Sequence, residues 1–241
     1  MKYKNYLFSP RYWVKALQNP LVAWDNFNAI LKHPLLYVNV CMKAEGLIDH
    51  YLGTLLYDSV LTCGADSQNI AEVGAFKGLS TIYLSIAAAK SGKKVKSFEL
   101  FSGLPTSHPD LDPGFHVRQF NSEVSEYKAN LKAYGKPGVV DLVIGDARQT
   151  MLPVIGSERF SLAFLDVDVY EVMRELLLQL LSIAKGGELI IIHDMDSPGV
   201  RKALDEFHNV SRHKVMERRL HGNTIAKLEF PRPYYCGRLG N

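Results

Sequence analysis

Acid-bearing stretches recur along the chain: Glu72 with Gly74, Glu99, Asp146 after Gly145, Asp166 with Asp168, and His193 with Asp194 and Asp196. Each closes a short apolar run, which is where a β-strand ends. Carboxylates gathered along one sheet edge can accept hydroxyl or ammonium protons, hold a hard divalent cation, or act as a base. The last two stretches are the densest. Neighbouring strand ends with acids at i and i+2 bring several carboxylates and an imidazole together, and such a crowd needs a proton or cation to offset it. Oxygen donors with one nitrogen suit Mg²⁺, which polarises a hydroxyl while a carboxylate or His193 removes its proton. A competing reading makes Asp194 the cap of a helix starting near Pro198 and leaves Asp166 to hold only an ammonium group.

The first stretch, Glu72-Val-Gly74-Ala75-Phe76-Lys-Gly78-Leu-Ser80-Thr81, reads as a strand end, a tight turn and a helix start. Leu79, Ile82, Tyr83 and Ile86 follow at helical spacing. Gly74 lets the backbone come close to a ligand, and the amides of the first helical turn attract negative charge, with Ser80 and Thr81 adding hydroxyls. A dinucleotide fingerprint needs glycine where Phe76 stands. The ring argues for a smaller anionic group, such as the carboxylate of an amino-acid moiety. Glu99 ends the second strand, a place from which a carboxylate accepts both hydroxyls of a ribose. Leu100 and Phe101 can flank an adenine. Asp146 and Ala147 can meet its amino group and ring, although Asp146 also reads as a plain helix cap.

Positioning these residues requires a sheet. Apolar runs suited to strands fall at 68–74, 94–100, 138–144, 160–167 and 187–193, with helical stretches between them. That alternation predicts an α/β fold with five parallel strands and helices on both faces. Lys214–Leu220, a His-Gly-Asn turn and Thr224–Phe230 read as an antiparallel hairpin, for a Rossmann-like sheet of seven strands. A helix from Asn19-Pro20 shows one apolar face of Leu21, Trp24, Phe27 and Ile30/Leu31. It is expected to pack on its own domain or a second subunit, to close over the acceptor, or to rest on a membrane surface. The division is an N-terminal extension at 1–43, a ligand-binding domain at 44–230 and a tail at 231–241.

With 47% hydrophobic and 22% charged residues over 241 positions, the chain has an ordinary globular composition. The net charge of +3 is small, its basic residues are scattered, and the run from His213 to Arg219 reads as a solvated edge strand, so no nucleic-acid surface is expected. Cys41, Cys63 and Cys236 lack metal or redox spacing. No stretch is long and apolar enough to span a membrane, and the start lacks the apolar core of a secretion signal, so the cytoplasm is the expected compartment.

The motifs also carry a resemblance. Glu72 to Thr81 resembles motif I of class I S-adenosylmethionine-dependent methyltransferases, with an aromatic in place of the middle glycine. Glu99-Leu-Phe-Ser-Gly-Leu-Pro105 and Leu165-Asp-Val-Asp-Val-Tyr-Glu171 are similar to segments of the macrocin O-methyltransferase (TylF-like) family. His193 to Phe207 looks more like related small methyltransferases often linked to polysaccharide synthesis. The resemblance spans residues 44–230 and implies S-adenosylmethionine as cofactor. It also implies Mg²⁺ on Asp166 and Asp194, with Asp168 as base and a sugar, glycan or small-molecule hydroxyl as acceptor. His193 replaces one aspartate of the family's metal-binding pair, so it is a candidate ligand or base instead. N-methylation of a small amine, or cofactor binding without turnover, are the alternatives.

Overall fold

The computed structural model describes residues 20–64, 69–156, 158, 160–184, 188–195, 197–210, 218–219, 225–227 and 236–238. Asn19, Asp196 and the His-Gly-Asn turn lie outside them. The elements in chain order are α1 (Pro20–Lys32), α2 (His50–Thr62), β1 (Asn69–Val73), α3 (Leu79–Ser91), β2 (Lys94–Glu99) and α4 (Val124–Tyr134). After them come β3 (Val140–Ile144), α5 (Ala147–Ile155), β4 (Phe160–Leu165), α6 (Tyr170–Ile183), β5 (Leu189–His193) and α7 (Pro198–Val210).

The five strands pair in parallel in the order β3-β2-β1-β4-β5, as the alternation predicts. Right-handed crossovers decide where the helices go. The chain moves one way along the sheet through α3 and α4, then jumps back past β1 and moves the other way through α5 and α6. The two sets therefore cover opposite faces. Contacts agree: α3 packs on α2 and α4, and α6 packs on α5 and α7.

Strands covered on both faces must be apolar throughout. Every residue of β4 is buried, as is every residue of β5, whereas β3 at the edge is partly exposed. Phe98, Phe164, Ile82 and Tyr83 are among the largest fully buried side chains. Each such side chain contributes about 1.5–3 kcal/mol through burial.

Beyond β5 the edge is antiparallel. Arg218–Arg219 (β6) pairs with Ile225–Lys227 (β7), which pairs with β5. Cys236–Arg238 (β8), which sequence alone assigns to a tail, also pairs antiparallel with Leu189 and Ile190 of β5.

α1 turns its apolar face away from the domain. Its inward face is small and polar: Asn26 and Ala29 are buried against α2, and Asn26 donates to the Asp49 carboxylate at 3.0 Å while accepting from the Tyr51 amide at 3.1 Å. Trp24, Phe27 and Leu31, on the apolar face that periodicity marks, are exposed.

Candidate active site

The strand order reverses between β1 and β4, and an open sheet of this kind binds its ligand at the carboxyl ends beside that switch point. A cavity of about 640 Å³ lies there. Gly74, Ala75, Phe76, Ser80, Glu99, Leu100, Asp146 and Ala147 line it, with Asp166, Asp168, His193 and Asp194. Most of the residues singled out by sequence thus converge on one space.

Glu72, Thr81, Gly78 and Phe101 do not reach the cavity wall. Glu72 is fully buried, and its Oε2 accepts the Thr81 hydroxyl at 2.6 Å and the Ser97 hydroxyl at 2.7 Å. Burial pushes its carboxyl up, against the pull of Thr81, Ser80 and Ser97. The residue ties β1, β2 and α3 together behind the wall. Gly78 is the left-handed cap of α3, and Phe101 packs edge-on against Tyr127 at 5.9 Å. Gly74 has φ +88°, and a Cβ there would lie 1.8 Å from the Asp166 carbonyl oxygen. Its lack of a side chain lets the ends of β1 and β4 meet.

Glu99 is the polar anchor of the β2 end. Its carboxylate accepts the Phe76 amide at 2.6 Å and the Phe101 amide at 2.9 Å. Burial raises its pKa, while the amides of Phe101, Phe76, Leu100 and Ala75 pull it down. Asp146 caps α5 through the Arg148 amide at 3.0 Å and forms a paired bridge with the Arg148 guanidinium, the shortest bond being 2.6 Å. Burial opposes ionisation of Asp146, but Arg148 wins and holds its carboxyl below the usual range. Its helix-cap role is therefore real, and Asp146 still borders the cavity.

The β4 and β5 ends carry the cluster. His193 Nδ1 stands 2.8 Å from Asp166 Oδ1 and 3.0 Å from Asp194 Oδ2. Burial alone would lower the imidazole pKa, but Asp166 and Asp194 outweigh it and raise it well above its usual value. Asp168 is raised well above the carboxylate range by burial and by the charges of Asp166 and Asp194. The Asp194 carboxylate is turned to His193. One donor atom from each of Asp166, His193 and Asp194 fits within a 4.8 Å group, a set chemically suited to a hard divalent ion.

A geometric signal runs around this rim. Phe76, Phe101, Asp168 and Asp194 all have positive φ, between 50° and 63°, and each follows a different strand of the inner four. Non-glycine residues rarely adopt that conformation, and it concentrates at functional sites.

A far wall completes the cavity. Leu104, Pro105, Phe115 and Phe120 line the cavity from the segment after β2. This segment is folded by its own backbone: the Leu104 amide donates to the Gln119 carbonyl, and the Arg118 amide to that of Leu104, each at 2.9 Å. Asp112 is buried, and it accepts the His108 amide at 2.7 Å and the Tyr170 amide at 2.9 Å. Tyr170 opens α6, so Asp112 caps that helix from 58 residues away. A lone acid in a loop gives no local sign of such a role.

Sheet order, switch-point cavity and acid-rimmed strand ends are those expected of an S-adenosylmethionine-dependent methyltransferase. The macrocin-O-methyltransferase (TylF) family model matches residues 57–219, and the chain belongs to that family. Solved structures agree in fold. CalS11, a calicheamicin methyltransferase, is 20% identical with a TM-score of 0.60 over 92% of this chain and 93% of that one. The O-methyltransferase NovP is 16% identical, with a TM-score of 0.58 over 77% and 81%. An O-methyltransferase from Bacillus cereus in complex with SAH is 16% identical, with a TM-score of 0.58 over 89% and 90%. No curated protein matches the chain by sequence.

Proposed function

We propose that this enzyme methylates a hydroxyl oxygen on a sugar, a glycan or a small natural product. One observation carries the reading: a single cavity has the amide-bound Glu99 at one end of its rim and the Asp166, Asp168, His193 and Asp194 cluster at the other. S-adenosylmethionine, when bound, supplies an electrophilic methyl group. Glu99 keeps lone pairs beyond those given to Phe76 and Phe101, and these suit ribose hydroxyls. Leu100, Asp146 and Ala147 border the space assigned to the adenine. Gly74, Ala75, Phe76 and Ser80 line the space assigned to the amino-acid end, with Asp166 facing its ammonium.

Asp168 is the proposed base. A sugar hydroxyl is a weak acid, so its proton needs an acceptor as the oxygen attacks. Like charges and burial hold a proton on Asp168, and positive charge added to the cavity would draw that proton off and free a lone pair. His193 fixes Asp166 and Asp194 and spreads their charge. Mg²⁺ would be held by Asp166, Asp194 and His193 once the imidazole loses its proton, and it would polarise the acceptor oxygen. Alignment in a desolvated pocket supplies the rest of the rate.

The test is transfer of labelled methyl from S-adenosylmethionine to a panel of nucleotide sugars, glycosides and amines, with Mg²⁺ or with chelator. O-methyl product from wild type, lost in Asp168→Asn, is expected. Label found only on amines and unchanged in Asp168→Asn contradicts the proposal.

A further inference from the structure

The segment between β2 and α4, residues 100–123, is folded as an arch across the cavity. One foot stands on the Glu99 half of the rim: the Ser122 amide donates to the Phe101 carbonyl at 3.0 Å, and the Ser122 hydroxyl to the Phe76 carbonyl at 3.1 Å. The crown rests on the other half. Asp112 takes the Tyr170 amide, two residues beyond Asp168, and the Thr106 hydroxyl donates to Glu171 at 2.9 Å. Gly199 at the start of α7 also touches the crown, since a Cβ there would collide with the Asp112 carboxylate.

The arch has two faces. Phe115 and Phe120 line the cavity, whereas His116, Val117 and Arg118 between them are exposed. Arg118 and Phe120 both have positive φ, 66° and 61°. Side chains of this size adopt that backbone only where the surroundings hold them in it, and such positions gather at ligand sites. The inward rings form a row. Phe120 stands edge-on to Phe76 at 6.5 Å, and Phe115 lies 6.4 Å from Phe120. Phe76 is bonded to Glu99, while the Phe115 amide donates to the carbonyl of Asp112, the residue seated on Tyr170. The row therefore runs from the ribose anchor toward the base, and Phe115 is its acceptor end.

Charge on the same lining selects against one kind of acceptor. Asp49, Glu99, Asp146, Asp166, Asp168 and Asp194 border the cavity against the single imidazole of His193, among the described residues. A phosphate brought into this space meets like charge, and an apolar ring meets the aromatic row.

We infer that Phe115 and Phe120 are specificity-determining residues for the acceptor. They take the apolar ring face of a neutral molecule, of the aryl glycoside kind, that presents its hydroxyl to Asp168, and the acidic lining turns away sugar phosphates and nucleotide sugars. The inference rests on the proposed placement of the acceptor at the Asp168 end.

The experiment titrates the full chain, loaded with S-adenosylhomocysteine, with a panel of 4-nitrophenyl glycosides and with the nucleoside diphosphate esters of the same sugars; the same compounds then serve as methyl acceptors. Wild type is expected to bind an aryl glycoside about tenfold more tightly than the matching nucleotide sugar. Phe115→Ala and Phe120→Ala should each weaken that binding about tenfold and raise KM for the glycoside, with kcat and S-adenosylhomocysteine affinity changed by no more than a few-fold. Phe115→Tyr keeps the ring and should bind as wild type does. If the alanine variants melt early, the preference of wild type still decides. Equal or tighter binding of the nucleotide sugars by wild type overturns the inference, as does glycoside binding that neither folded alanine variant weakens, or no binding of any aryl glycoside. Ring-dependent glycoside binding without methyl transfer would uphold the inference and count against the hydroxyl-transfer reading.

Discussion

The two halves of the active-site rim solve the same problem in different ways. At the ends of β1 and β2 the carboxylates are held by neutral donors: Glu72, behind the wall, takes two hydroxyls on Oε2 and leaves Oε1 without a partner, and half-buried Glu99 takes two backbone amides. At the ends of β4 and β5, carboxylates face one another and an imidazole. Neutral donors fix a carboxylate in place without assigning it a proton to move. Burial raises all of these carboxyls, but at the second half the charges of Asp166 and Asp194 push Asp168 further up and raise His193 against its burial. The first half is built to hold, the second to react.

The comparison breaks most visibly at Asp168. Asp168→Asn keeps shape but cannot take a proton, and it should lower kcat by about 10²–10⁴-fold in a methyl-transfer assay while the affinity for S-adenosylhomocysteine stays within a few-fold. The sign of the pH effect follows from the raised carboxyl: below its pKa Asp168 is protonated and cannot act as base, so wild-type activity should rise with pH, and do so above the ordinary carboxylate range. Asp168→Asn should flatten that rise, and an unchanged profile would assign the proton elsewhere.

Next in size is the seam between the halves. Gly74→Ala forces a Cβ onto the Asp166 carbonyl at a left-handed φ and should cost at least about 2 kcal/mol in denaturant unfolding. Cofactor affinity should fall with it, since the two halves can no longer close on each other. A smaller loss comes from the far wall. Asp112→Ala strands the His108 and Tyr170 amides and should cost about 1–3 kcal/mol, with KM for the acceptor raised more than KM for the cofactor. Least of all is Asp146→Ala, which removes a cap and a partly exposed ion pair; a loss of about 1 kcal/mol in thermal melting is expected.

Much of this rim was legible because strand ends announce themselves in sequence: an apolar run, then an acid or glycine. The five-strand alternation and the convergence of Glu99, Asp166, Asp168, His193 and Asp194 follow from that pattern. What was not legible depends on distance or on backbone state. Glu72 and Thr81 look like cradle residues by position, yet they bond to each other behind the wall because Ser97 of β2 lies beside them. Phe76, Phe101, Asp168 and Asp194 adopt left-handed backbone that their residue types do not advertise. Asp112 caps a helix that folds against it only in three dimensions. The apolar period of α1 identified a helix and its apolar side, which the domain leaves exposed, since periodicity says nothing about what covers that side.

The most direct test of the division is calorimetric titration of S-adenosylhomocysteine into wild type, Glu99→Gln and Asp168→Asn, each with and without Mg²⁺. Micromolar binding to wild type, a loss of at least tenfold for Glu99→Gln, and near wild-type binding for Asp168→Asn are expected. Equal losses in both variants would contradict a rim divided between holding and reacting, and no binding to wild type would remove the cofactor site itself.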